Sequence, residues 1–291
     1  MDRKSPSFRP CLCMREIFLL ISDSYFYWED SNLTFKIIAT SMVASVVALP
    51  ALAAPVDLSS WLQDGGGGWN LESDNNGVKQ FGNSPPGVFH NNENSQGQSL
   101  SGSIEVQSAS DNDFVGFVLG YNEGDIGGGN VGQDYLLIDW KQGTQAGWDA
   151  GLAISRVTGD IATGGTNTGS SAWQHNGVVE FLTRSNATGS NFGNTGWANN
   201  TEYTFDLEFT SSNVKVFVND NLEIDIDASD YGGDPFADGS FGFYAFSQTG
   251  GRYAGLEEAD LPPPIPVPAG FPLALSALAT LGWLARRRRV N

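Results

Sequence analysis

The sequence predicts an all-β fold, a two-sheet sandwich, with an apolar segment at each end of the chain. Three observations predict it. Short apolar runs alternate through the middle of the chain with clusters of Gly, Asn, Asp and Ser, and 36 glycines among 291 residues supply the punctuation. Within those runs apolar residues recur at every second position, the period of a half-buried strand rather than of a helix. Between the termini no segment carries helical periodicity. Hydrophobic residues make up 40% of the chain and aromatics 12%, enough for a packed core, which excludes wholesale disorder.

The first element is a targeting segment. Lys36 precedes the apolar stretch Ile37 to Leu49, and Ala51-Leu52-Ala53 then forms a small-residue cleavage site before Ala54-Pro55. A basic flank, an apolar stretch and an A-x-A site read as a secretory signal peptide with cleavage after Ala53, because Pro55 hinders a cut after Ala54. Residues 1–32 fit no part of such a signal, and the reading assigns 1–53 to the signal with translation starting near Leu33. Cys11 and Cys13 both fall in this segment, so the mature chain has no thiol for a disulfide or a zinc-thiolate site.

The body, residues 56–260, is the predicted sandwich. Gly65-Gly66-Gly67-Gly68 and Trp69-Asn70-Leu71 open it. Ser103 to Gln107 alternates, Asp113 to Tyr121 and Tyr135 to Trp140 are denser, and Val178 to Leu182 is another short run. Tyr203, Phe205, Leu207 and Phe209 share one face and Glu202, Thr204, Asp206 and Glu208 the other. The clearest hairpin pairs Val214, Val216 and Val218 with Leu222, Ile224 and Ile226 across Asn219-Asp220-Asn221, residue types that tolerate the positive φ of a tight turn. Trp69, Trp140, Trp148, Trp173 and Trp197 read first as core.

The last element is residues 261–291. Leu261-Pro262-Pro263-Pro264 is a stiff spacer. Ala269 to Ala285 is apolar except for Ser276 and Thr280, at the short limit for a membrane-spanning helix, and Arg286, Arg287, Arg288 and Arg289 close it. Positive charge stays cytoplasmic, which places the body outside the cell. With its I-P-V-P-A motif at Ile265, Pro266, Val267, Pro268 and Ala269, this tail resembles the bacterial PEP-CTERM sorting signals of the V-P-L-P-A type. The resemblance implies an exosortase-type sorting protease as partner and a secreted or cell-surface destination. A plain single-span anchor uses the same helix and arginines.

Charge narrows the partners further. Between Ala54 and Asp260, 28 acidic residues face six bases. Such a surface repels phosphate backbones and anionic membranes, which excludes nucleic acid as a partner and makes cations the natural ones. Asp111-Asn112-Asp113 offers two carboxylates and an amide from one turn, the hard oxygens calcium requires, although a solvated turn opening a strand reads the same way. Asp225, Asp227, Asp230, Asp234 and Asp238 form a second acidic cluster, and Glu123 and Asp125 sit in the glycine-rich loop Gly124 to Gly132, whose flexibility makes any assignment there weak. His90 and His175 are too few and too far apart for a catalytic pair, and His175 beside Trp173 reads as a packed side chain.

Several motifs share one order with a known family. Asp111 to Tyr121 (D-N-D-F-V-G-F-V-L-G-Y), Tyr135 to Gln142 (Y-L-L-I-D-W-K-Q), Ala172-Trp173-Gln174-His175, Gly196-Trp197 and Gly239 to Gln248 together resemble the carboxy-terminal domain of thrombospondins over residues 56–260. The resemblance implies a concanavalin A-like jelly roll, calcium in the loops with the triplet Asp111 to Asp113 as its acidic motif, and an extracellular adhesive or matrix role. The terminal cysteine and calcium repeats of animal thrombospondins are absent, so their integrin partnerships do not carry over. The expectation is a calcium-binding adhesion module without catalysis, whose ligand is an extracellular polysaccharide or matrix component.

Two alternatives stand beside it. A carbohydrate-binding module would need exposed aromatics near calcium-ordered loops. A glycoside hydrolase reading starts from Glu223-Ile224-Asp225-Ile226-Asp227, which resembles the catalytic strand of laminarinase-like glucanases but ends on Asp227, one methylene short. Alternation alone puts Leu222, Ile224 and Ile226 inward and leaves Glu223, Asp225 and Asp227 on the wet face.

Overall fold

The structure is a computed structural model and describes residues 53–162 and 165–262. Ala51, the sorting motif Ile265 to Ala269, the apolar tail and Arg286 to Arg289 lie outside the described residues. Ala53 is described and exposed, one residue before the first strand. Among the described residues no helix is long and apolar enough to cross a membrane.

The strands run in chain order β1 (Ala54–Pro55), β2 (Leu62–Gly65), β3 (Trp69–Leu71), β4 (Gly77–Gln80), β5 (Gly87–His90), β6 (Gln98–Val106), β7 (Phe114–Tyr121), β8 (Tyr135–Lys141), β9 (Gly151–Val157), β10 (Val179–Arg184), β11 (Glu202–Phe209), β12 (Asn213–Val218), β13 (Asn221–Asp227), β14 (Ser240–Phe246) and β15 (Gly251–Asp260), with a short α-helix, α1 (Ser171–Gln174), before β10 and single 3-10 turns at Leu58–Ser60 and Ala228–Tyr231. They form two antiparallel sheets, one ordered β13-β12-β11-β6-β15-β4-β3 with β1 added on β15, the other β10-β9-β8-β7-β14-β5-β2. This is the expected two-sheet sandwich.

The inner faces meet in an aromatic core. Phe117 of one sheet lies 4.6 Å from Phe205 of the other, and Phe243 stacks on Tyr253 at 4.2 Å. The Tyr253 hydroxyl crosses between the sheets, where it accepts from the Gly116 N–H (3.1 Å) and has the carbonyls of Gly116 (2.9 Å) and Tyr244 (3.0 Å) within reach of its single proton, which satisfies a buried phenol. Alternation works as expected in β11, where Tyr203, Phe205, Leu207 and Phe209 are buried. In the β12–β13 hairpin Asn219 and Asp220 hold φ of 50° and 63°, a two-residue turn of the primed kind, and Asn221 already belongs to β13.

The seven-stranded sheet is different on its outer side. Every residue of β7, β8 and β14 is buried, so both faces of these strands are covered. The cover comes from two long connections. The glycine-rich segment 122–134 folds back and inserts Ile126, and the segment after β9 inserts Ile161 and then α1 with Ala172 and Trp173, against Phe114, Tyr121, Tyr135, Tyr244 and Phe246. This roof explains why β7 reads as one continuous apolar run rather than an alternating one.

Candidate buried site under the loop roof

Beneath that roof lie charged residues in a place that should hold none. Asp113 immediately precedes β7, and Phe114 is the register partner of Lys141 at the end of β8. Alternation along β8 sends Tyr135, Leu137, Asp139 and Lys141 to the roofed face. The Lys141 side chain is 0% exposed and its Nζ lies 2.6 Å from Asp113 Oδ1, itself on a side chain only 4% exposed. The ammonium also sits 4.2 Å from the Trp173 ring and 4.6 Å from the Phe114 ring, a cation–π arrangement. The backbone of Asp113 is fixed as well: its N–H donates to Gln248 Oε1 (2.9 Å) and its carbonyl accepts from Trp197 Nε1 (3.2 Å).

A second pair lies along the same face. His175 Nε2 is 2.8 Å from Asp139 Oδ2, and both side chains are essentially inaccessible. His175 closes α1 in the left-handed region at φ 45°, which swings its ring flat onto Trp148 at 3.7 Å. Arg184 covers Trp148 at 4.7 Å. His175 is thus the packed side chain its neighbour Trp173 predicts. Burial pushes the Lys141 ammonium down in pKa against the attraction of Asp113, and burial pushes the Asp113 carboxyl up against Lys141.

The expected calcium triplet is not brought together. Asp113 is buried and committed to Lys141, and the charge that holds it repels a divalent ion. Asp111 and Asn112 stay half-buried at the edge, where Asp111 accepts hydrogen bonds from Asn83 Nδ2 and from the Asn112 N–H. The three side chains therefore do not fit a shared calcium ion. Among the described residues no three Asp, Glu or His side chains gather as a metal site. Asp225 and Asp227 are exposed and share the Asn213 amide (2.8 and 3.2 Å), and Asp238 caps the N–H groups of Gln96 and Gly239.

The glycine-rich loop is tied down rather than loose. Asp125 is buried and accepts from the Asn122 N–H (2.9 Å) and Asn130 Nδ2 (3.0 Å). Asp64 of β2 clips the loop by accepting from the Tyr121 hydroxyl (2.9 Å) and the Gly124 N–H (2.6 Å). His90 sits beneath with Nε2 3.6 Å from Asp64 Oδ2, and burial pushes its pKa down.

Glu223 corrects the alternation argument. A bulge falls where β12 slips against β13 between Val216 and Phe217, and the extra residue turns Glu223 inward while Leu222 is left 40% exposed. The Glu223 carboxylate accepts from Ser185 Oγ (2.5 Å) and Ser190 Oγ (2.6 Å). Asp225 and Asp227 stay exposed, so the carboxylates of the glucanase-like strand do not share one face.

Residues 66–258 match the family described as the Thrombospondin C-terminal region. The chain belongs to that family. Thrombospondin-2 of Bos taurus is 25% identical over 189 residues and that of Gallus gallus 26%, in each case across 62% of this chain and 15% of the relative's own length. Among solved structures, carbohydrate binding module CBM66 from Bacillus subtilis is 12% identical with a TM-score of 0.45 over 69% of this chain and 95% of that one. The VIP36 exoplasmic/lumenal domain in its Ca2+/Man2-bound form is 13% identical with a TM-score of 0.45 over 72% and 84%. The residues that carry the thrombospondin C-terminal resemblance now have a common place. Asp113-Phe114, Lys141, Trp173 with His175, Trp197 and Phe246-Ser247-Gln248 all meet at the buried pair. Lys141 and Asp139 were not singled out by sequence reasoning. Their signal is two charges two residues apart in an otherwise apolar strand.

Proposed function

We propose that this thrombospondin C-terminal-family domain is an extracellular, non-catalytic adhesion or matrix module that works with cations at its surface. The observation that carries the reading is the charge imbalance of the folded domain. Of its six bases, Lys141, Arg156, Lys215 and Arg252 are already held by carboxylates, which leaves most of the 28 acids without a basic partner. Calcium enters as a surface ion recruited by carboxylates such as Asp111, with Asn112 beside it, and completed by oxygens of the ligand or water. The signal ending at Ala53 and the tail from Ile265 to Arg289, acted on by an exosortase-type protease, would deliver the domain to the cell surface or medium.

A polysaccharide is the ligand class with a specific observation behind it. No Trp or Tyr among the described residues is exposed, yet Phe81 is 57% exposed, two residues from Asn83, whose amide bonds Asp111. An exposed ring beside a carboxylate edge offers a stacking face and a hydrogen-bonding edge to a sugar. A glycan and matrix array, probed with and without calcium and with Phe81→Ala, tests both parts. Calcium-dependent retention lost in Phe81→Ala supports the polysaccharide reading. Retention on protein matrix components alone supports adhesion without sugar, and no retention on either overturns the proposal.

A further inference from the structure

We propose that Lys141 and Asp113 condense into an intramolecular amide, an isopeptide crosslink between the start of β7 and the end of β8. The reacting groups are already in contact, with Nζ 2.6 Å from Oδ1, and fixed from all sides. Asp113 is held by Gln248 and Trp197 through its backbone and by the Ser247 hydroxyl through its carboxyl, while the lysine Nζ lies over the Phe114 and Trp173 rings. Holding amine and acid in one geometry supplies the high effective concentration that an uncatalysed condensation lacks in water.

Burial moves both groups toward the neutral reactants. An ammonium carboxylate does not condense; a free amine and a carboxylic acid do. Burial works on both groups in that direction, lowering the Lys141 pKa and raising that of Asp113. Phe246 stacks on Phe114 at 5.8 Å and meets Trp173 edge-on at 5.7 Å, which completes an aromatic shell that keeps water from the product. Asp139 is assigned as the proton carrier. Asp139 shares the roofed face of β8, is 1% exposed, acts on Lys141 through its charge and is oriented by His175.

The step balances without a co-reactant. One proton passes from the ammonium to the carboxylate, giving amine and acid. The Nζ lone pair then forms the bond to Cγ, and a second nitrogen proton, carried by Asp139, joins the departing hydroxyl. The Cγ–O bond breaks and one water leaves. The product ties together two adjacent strands of the seven-stranded sheet in a body that has no cysteine to do so. It is independent of what the domain binds.

Mass spectrometry of the purified full-length protein, denatured and digested with trypsin, tests this. The expected product is a fragment covering 80–156, uncut at Lys141 and one water lighter than its sequence. Lys141→Arg, which keeps the ion pair but cannot form this amide, restores the full mass. Asp113→Asn is expected to give the same uncut fragment with ammonia lost in place of water, the loss placed by fragmentation on the branch between residues 113 and 141 rather than on Gln80, whose N-terminal cyclisation also releases ammonia. Asp139→Asn is expected to slow the loss, and an unchanged rate would remove Asp139 from the step. Cleavage at Lys141 with fragments of full mass, in protein whose near-ultraviolet circular dichroism shows a native core, overturns the proposal.

Discussion

Replacing Asp113 by Ala separates a core charge from a surface metal ligand. In the wild-type fold Asp113 is the partner of the Lys141 nitrogen, on a side chain that is 0% exposed. Removing one partner of a buried pair leaves the other charge uncompensated, which costs about 3–5 kcal/mol. The bonds from Gln248 and Trp197 engage the Asp113 backbone and survive in the alanine variant, so the loss reports the carboxylate itself. Losing an amide crosslink as well would add to the deficit, which makes ~3 kcal/mol a floor. Asp111→Ala is the matched control, since Asp111 is half-buried at the edge and substitutions at such places stay within about 0.5 kcal/mol. Urea unfolding followed by tryptophan fluorescence, with calcium chelated so that Asp111 holds no ion, reads both from midpoint and slope together, the slope rising in Asp113→Ala if a crosslink is lost. Equal, small effects at the two positions would refute the buried-pair reasoning and return both residues to the surface.

Three further outcomes follow from the same geometry. His90 has a folded pKa below its ordinary value because it is buried, so the unfolded chain takes up a proton first as pH falls. Stability should be full above about pH 6.5 and decline below it by up to ~1.4 kcal/mol per unit, a dependence that His90→Gln flattens in melts between pH 7 and 5. Glu223→Ala should cost about 1–3 kcal/mol, because it strands the Ser185 and Ser190 hydroxyls, whereas Asp225→Ala should cost almost nothing; equal losses in denaturant titrations would contradict the bulge. Phe81→Ala should leave the unfolding free energy within about 0.5 kcal/mol of wild type, as expected for an exposed ring, and a larger loss would mean that Phe81 packs rather than presents itself.

The strands were legible because a period of two is local. Tyr203 to Phe209 and Val214 to Val218 announce their inward faces without any knowledge of partners. The hairpin turn was legible for the same reason, from Asn219 and Asp220. A bulge is not local. The inward turn of Glu223 depends on how β13 slips against β12, and alternation counted along β13 alone assigns Leu222 and Glu223 to each other's faces. The roof is less local still. Nothing in Gly124 to Gly132 signals that Asp64, some sixty residues earlier, clips that loop over β7. The triplet Asp111 to Asp113 shows the same limit: its residue types suit calcium, and only the pairing of β7 with β8 reveals that one of its carboxylates faces a lysine.

Amine labelling of the native protein, read lysine by lysine by mass spectrometry, tests the buried pair most directly. Lys79 and Lys215, partly exposed on their strands, should acquire an amine-reactive tag, and Lys141, wholly enclosed, should stay unlabelled with calcium or with a chelator. Labelling of Lys141 as fast as that of Lys215 in the folded protein would contradict the account.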